Sequence, residues 1–161
     1  MNYAAIKPLD IANGPGIRVS LFVSGCRRGC KGCFNKEAWD FEYGQRFTWE
    51  TLHEIERLLS DPNIEGLSIL GGDPLEPENL LEVTAICGYL KNKCGKPIWM
   101  WTGFSWEDIK ALPVLRYVDI LIDGRFEEDK KDLRLKWRGS SNQRVIDVQE
   151  TLACDSIILF E

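Results

Sequence analysis

The strongest constraint on how this chain can fold is a repeated order: a short apolar run, a loop of small or unusual residues, then an amphipathic stretch. Arg18 to Val23 reads as a strand, with Val19, Leu21 and Val23 alternating against Ser20 and Phe22. Thr48 to Ser60 reads as a helix, because Leu52, Ile55 and Leu59 recur at helical spacing and acidic Glu50 suits the first turn. Leu67 to Leu70 is a second apolar strand. A second helix is predicted from Pro77 to Lys93: proline suits its first position, Leu80, Val83, Cys87 and Leu90 form a stripe, and Gly95 and Pro97 stop it. Ile98 to Trp101 is a third strand, in which Trp99 and Trp101 share a face, packing the core or a barrel interior. Ser105 followed by Asp108 predicts a capping box opening a short helix. Val118 to Ile122 is a fourth strand, Glu127 to Asp132 a solvated charge run, and Arg144 to Val148 and Ile157 to Phe160 short strands.

Strands alternating with helices imply a parallel sheet with right-handed crossovers. Four units are too few for an eight-stranded barrel, so the expected fold is α/β, an open or partial (β/α) barrel with a mostly parallel sheet. A length of 161 residues suits a single domain over residues 1–161. The loops then matter. Cys26 follows the first strand, Gly71-Gly72-Asp73-Pro74 the second, Thr102-Gly103-Phe104 the third and Asp123-Gly124-Arg125-Phe126 the fourth. All lie beyond the C-terminal ends of strands, the edge on which α/β proteins build their sites.

Cys26, Cys30 and Cys33 have C-x3-C-x2-C spacing in a loop that also holds Gly25, Gly29 and Gly32. Three thiolates in one tight loop, with no fourth beside them, suggest an iron–sulfur cluster with one iron open. Arg27, Arg28 and Lys31 alternate with the cysteines; their charge favours thiolates, or they are ordinary solvated loop residues. The competing reading is a zinc site completed by His53 or by a distant cysteine, because structural zinc takes four closed ligands. His53, the only histidine, reads as a surface residue on the first helix, Cys87 as core and Cys94 as a helix-end residue. Net charge of −5 argues against nucleic acid as a partner. No apolar run suits a bilayer, and Met1 to Asp10 has no apolar core of a signal peptide, so a cytoplasmic location with reduced thiols is expected.

These residues together resemble the radical S-adenosylmethionine (SAM) superfamily. The segment Asp10-Ile11-Ala12-Asn13-Gly14-Pro15-Gly16-Ile17-Arg18 is similar to the signature of its glycyl-radical-enzyme activases. So are Trp99-Met100-Trp101-Thr102-Gly103-Phe104, Asp123-Gly124-Arg125-Phe126 and Trp137-Arg138-Gly139-Ser140-Ser141-Asn142-Gln143. With so short a chain, the branch resembled is the one that activates anaerobic (class III) ribonucleotide reductase.

The resemblance implies a partial barrel of radical SAM type. It implies a [4Fe–4S] cluster on Cys26, Cys30 and Cys33, with the amino and carboxylate groups of SAM on the fourth iron. It also implies reductive cleavage of SAM and removal of a hydrogen atom from a glycine of the reductase large subunit, with electrons from a low-potential donor such as flavodoxin. Gly71, Gly72 and Asp73 would meet the SAM amino group. Gly32 and Phe34 would share the adenine contact, since Gly32 stands where many members carry an aromatic. Arg138 or Asn142 would meet the SAM carboxylate or ribose, or the partner; alternatively they and Asp123 and Gln143 form a polar network at the sheet edge. A partner surface is expected around the cysteine edge, including Arg27 and Arg28. Other readings are an activase of a different glycyl-radical enzyme, a small-molecule radical SAM enzyme, and a non-catalytic zinc or redox module.

Overall fold

The structure is a computed structural model that describes residues 1–161. In chain order the elements are strand β1 (Asn2–Asp10), β2 (Ile17–Val23), β3 (Gln45–Arg46), helix α1 (Trp49–Leu59), β4 (Ile64–Gly71), α2 (Pro77–Cys94), β5 (Ile98–Trp101), α3 (Trp106–Ile109), β6 (Ile120–Asp123), β7 (Arg144–Asp147) and α4 (Val148–Cys154). The seven strands form one open α/β sheet in the order β3-β1-β2-β4-β5-β6-β7. The central strands β2, β4, β5 and β6 pair parallel. The outer pairs, β1 with β2 and β3 and β6 with β7, are antiparallel.

The expected helices form for the expected local reasons. Thr48 caps α1 reciprocally with Thr51, each hydroxyl accepting from the other's backbone N–H. Pro77 opens α2, and Gly95 at φ 65° closes it in the left-handed conformation that glycine adopts cheaply. The capping box at α3 is a correction. Ser105 Oγ meets Asp108 Oδ2 at 2.7 Å but caps no backbone group; the Trp106 N–H donates instead to Asp123 Oδ2, 2.7 Å away on β6. Three elements depart from expectation at the chain ends. β1 is a nine-residue strand with no clean alternation, lying between β2 and the two-residue edge strand β3. Val148 leaves β7 to begin α4, and Ile157 to Phe160 form only an isolated bridge, Leu159 to Ile146.

Alternation sorts the sheet into two faces. Val19, Leu21 and Val23 of β2, Leu67 and Ile69 of β4, Met100 of β5 and Leu121 of β6 pack under α1 and α2, against Leu52, Ile55, Val83 and Leu90. A fully buried side chain such as Ile55 contributes about 1.5–3 kcal/mol by leaving water. The opposite face holds a smaller cluster of Trp99, Ile120 and Ile122. There the Trp99 ring lies 4.9 Å from Trp137 and 5.4 Å from Phe160, in edge-to-face contact. The two tryptophans of β5 do share this second face, as their spacing requires.

Arg18 crosses the N-terminal end of this second face and is 1% exposed. Its guanidinium donates to Ser68 Oγ (2.8 Å), Leu67 O (2.9 Å) and Pro97 O (3.1 Å), and lies over Trp99. A Cβ on Gly14 or Gly66 would come within 2.7 Å of Arg18 side-chain atoms. The glycines of the 10–18 segment are thus explained in part by the burial of one arginine. Asp10, also buried, accepts from Ala12 N and Asn13 Nδ2 and closes the turn.

Candidate functional site

In the parallel register Val23 stands opposite Gly71, and Trp101 opposite Ile122. Matched strand ends bring the four unusual loops to one edge. They surround a cavity of about 660 Å³ lined by Cys26, Cys30 and Cys33 together with Gly71, Gly72, Asp73, Thr102, Gly103 and Gly124.

The cysteine loop is held from beneath. Gly25 N donates to Ala38 O at 2.7 Å and Cys26 N to Trp39 O at 3.1 Å. Cys33 N donates to Cys30 O at 3.2 Å, and Asn35 N to Cys33 Sγ at 3.4 Å. All six cysteines are free thiols. Burial pushes the Cys26 thiol up to about 11, with the carboxylates of Asp73 and Glu76 adding and an Arg28 N–H bond to sulfur opposing. The protein environment therefore does not by itself hold this sulfur as a thiolate; a bound metal would.

The alternative ligands lie elsewhere. His53 is on the outer face of α1, hydrogen-bonded to Glu56 and stacked on Trp49. Cys87 is in the main core, Cys94 packs at its margin, and Cys154 binds Glu150 O. No three His, Cys, Asp or Glu side chains converge tightly enough to share one metal ion. A zinc ion would need sulfurs about 3.8 Å apart, from tetrahedral Zn–S bonds of ~2.3 Å. Thiolates on different irons of one cluster stand further apart. Three unpaired thiols on one wall of a roomy cavity, with no side chain offered as a fourth, suit an iron–sulfur cluster better than a closed zinc site.

The glycines after β4 have steric reasons. Gly71 has φ +108°, and a Cβ there would meet Val23 O at 2.6 Å. A Cβ on Gly72 would lie 2.6 Å from Gly25 O and 2.8 Å from Ala38 O. Their N-terminal neighbour β2 and the cysteine loop press directly on them. Asp73 is 1% exposed, and both its oxygens face internal donors. Oδ1 accepts from Leu75 N (3.0 Å) and Thr102 Oγ1 (2.8 Å), and Oδ2 from Gly103 N (2.8 Å). Burial nevertheless holds its carboxyl above the ordinary range, against the pull of those donors. Asp73 thus ties the loop after β4 to the loop after β5 while lining the cavity.

The cations beside the cysteines are largely spent. Arg27 forms ion pairs with Glu76 and Glu78, its backbone N–H also donates to Glu76, and it rests on Phe41. The same contact with Arg27 lowers Glu78 to about 2. Lys31 faces Glu128 at 3.6 Å. Arg28 lines the cavity with its guanidinium 3.7 Å over the Phe104 ring. Only Arg28 of the three turns its charge toward the site.

Gly32 has φ +73° and abuts Glu128. Phe34 is 59% exposed, lines the cavity and packs on Phe126 at 5.3 Å. Arg138 lines the cavity and donates to Gln143 O at 2.6 Å. Asn142 is not on that wall: its Nδ2 donates to Arg125 O at 2.7 Å, and its Oδ1 is buried without a partner. Gln143 does line the cavity and pins two loops, accepting from Gly139 and Ser140 N–H and donating to Gly124 O. Asp123 pairs with Arg144 and caps α3. Sequence reasoning passed over Lys7, Asn13, Phe22 and Leu70, which also line the cavity. Of these, only Phe22 and Leu70 carried a signal, as the strand positions opposite the core-facing residues.

A family model described as a 4Fe-4S single cluster domain matches residues 12–146. The chain is 47% identical over 146 residues to the anaerobic ribonucleoside-triphosphate reductase-activating protein of Enterobacteria phage T4, covering 90% of this chain and 93% of that one. The proteins of the same name from Pasteurella multocida and Escherichia coli K12 are 45% and 44% identical over 150 residues, covering 89% and 90% of this chain and 95% and 97% of theirs. Such identity over nearly the whole length, with the cysteine loop inside the matched region, is decisive: the chain belongs to the family of anaerobic ribonucleoside-triphosphate reductase-activating proteins.

Proposed function

We propose that this chain is a radical SAM activase that installs a glycyl radical on the large subunit of an anaerobic ribonucleotide reductase. A [4Fe–4S] cluster on Cys26, Cys30 and Cys33 would supply one electron to SAM, cleaving it to methionine and a 5′-deoxyadenosyl radical that takes a hydrogen atom from the partner's glycine. The single observation carrying this reading is three unpaired cysteines on one wall of a cavity whose other walls are the loops after three parallel strands.

The chain's own residues position and shield. Gly71 and Gly72 bring the backbone of β4 against the cysteine loop and leave the cavity wall without side chains, where a ligand amino group can reach main-chain carbonyls. Asp73 fixes that wall to Thr102 and Gly103. Phe34, with Phe126 behind it, offers an aromatic face for adenine beside the Gly32 backbone. Arg138, held by Gln143 O, keeps donors free for the SAM carboxylate or ribose. Phe22, Leu70 and Trp101 make the cavity apolar and restrict water. N–H groups aimed at Cys26 and Cys33 sulfur contribute to the cluster's potential.

This reading includes a sheet that curls as a partial radical SAM barrel, one domain, a cytoplasmic setting and a low-potential donor of the flavodoxin kind. No helix is long and apolar enough to cross a membrane. The test mixes anaerobically reconstituted protein, reductant, SAM and the reductase. About four irons per chain, 5′-deoxyadenosine and an EPR doublet from a glycyl radical are expected. Colourless, zinc-loaded protein with no SAM cleavage would overturn it.

A further inference from the structure

We infer that Lys7 positions the peptide carrying the target glycine, by donating a hydrogen bond from its ammonium group to a main-chain carbonyl oxygen of that peptide. The inference rests on the activase reading and assigns the half of the cavity that the cysteines do not occupy.

Lys7 lies on β1 opposite Ser20 of β2. Its Nζ sits 5.0 Å over the Phe22 ring, and both residues line the cavity. Phe22 stands in register with Leu70, and with Trp101 they form an apolar stretch of wall. The ammonium group makes no direct ion pair or hydrogen bond within the chain and acts on the Asp10 carboxylate only through space, whereas Arg27 and Lys31 are in contact with carboxylates. A cation held by a ring face keeps its N–H donors available while its position is restricted, which lowers the entropy cost of binding.

Depth along the sheet separates Lys7 from the metal end. Ser20 is three residues short of the end of β2, roughly 10 Å at about 3.3 Å per residue, and the cysteines lie beyond that end. A nucleoside anchored at the cysteines approaches from the strand ends; what faces it from the β1 side is the acceptor. A glycine has no side chain to recognise. The groups that can orient its α-carbon are the carbonyls and N–H groups flanking it, and a lysine is a donor alone. An ammonium beside an apolar wall therefore suits a peptide carbonyl.

β3 pairs only with Asn2 and Tyr3, so a lysine at position 7 also serves to discourage sheet extension, and Pro8 beside it fits that role. An ammonium drawn over Phe22, toward the cavity, is poorly placed for edge protection alone.

The test compares wild type, Lys7→Met and Lys7→Arg as cluster-loaded proteins. It measures glycyl-radical formation against reductase concentration, KM for SAM, and equilibrium binding of the reductase without SAM. Lys7→Met should raise KM for the reductase about tenfold, the scale of one charge-assisted hydrogen bond. It should weaken reductase binding in parallel and move KM for SAM less than twofold. Lys7→Arg should recover most of the loss. An unchanged KM for the reductase, self-association of Lys7→Met as its only phenotype, or an equal rise in KM for SAM would each overturn the inference while leaving the activase reading intact. A wild type that makes no glycyl radical overturns both.

Discussion

Replacing Asp73 by asparagine tests whether this residue braces the site. In the native protein Oδ1 satisfies Leu75 N and Thr102 Oγ1 in buried bonds, and Oδ2 satisfies Gly103 N in a half-buried one. Asparagine keeps one oxygen, so the Leu75 and Thr102 bonds survive. Its NH2 group then confronts the Gly103 N–H, donor against donor. One backbone N–H loses its partner, at about 1–3 kcal/mol. Asp73→Ala loses both backbone partners and costs about 2–6 kcal/mol by the same scale, a large share of the roughly 5–15 kcal/mol of a typical domain. Urea denaturation under anaerobic conditions at matched iron content measures both. A cycle with Thr102→Val should show coupling to Asp73→Ala, because the two side chains share a bond. The pH dependence adds a second readout. Burial raises the Asp73 carboxyl above its unfolded value, so just above the ordinary carboxylate range the native state holds the extra proton. The stability it adds is present on the acid side and is lost as pH rises through the native pKa. Asp73→Asn should flatten that slope. Unchanged stability in both variants, with a large loss of SAM affinity, would refute the brace and make Asp73 a ligand-binding group alone.

Other substitutions address the neighbouring parts. Serine at any one of Cys26, Cys30 or Cys33 should abolish stable iron binding, whereas Cys154→Ser should retain about four irons per chain, read by iron analysis and visible absorption. Gly72→Ala places a Cβ 2.6 Å from Gly25 O and should lower both stability and cluster retention, seen by thermal unfolding and iron content. Phe34→Ala should weaken SAM binding several-fold in equilibrium titration, and unchanged affinity would remove Phe34 from the adenine contact. Arg18→Met removes the guanidinium donor from Leu67 O, Pro97 O and Ser68 Oγ; Pro97 O keeps the Leu67 N–H and Ser68 Oγ keeps Asn13 O, so the loss should cost about 1–3 kcal/mol in denaturant unfolding.

The amino-acid order alone determined the central strands, the two long helices, the edge on which the loops gather and the three cysteines of one loop that line the cavity. Each of these rests on local spacing: period two for strands, period 3.6 for helices, breakers between them, and thiols within one short loop. Tertiary structure decided what spacing cannot encode, the pairing of groups far apart in the chain. β1 became a strand because β2 offered it a partner, and α4 interrupted a run that reads as strand because Asp147 caps it. Arg27 found Glu76 and Glu78, some fifty positions away. Asp73 found Thr102 and Gly103, and Lys7 came to rest over Phe22, because strand register matched the ends of β4 and β5 and aligned β1 with β2. Hydrogen bonds and ion pairs act over a few ångströms in space whatever the separation along the chain, so only the folded sheet selects which polar groups brace the site and which stay free for a ligand.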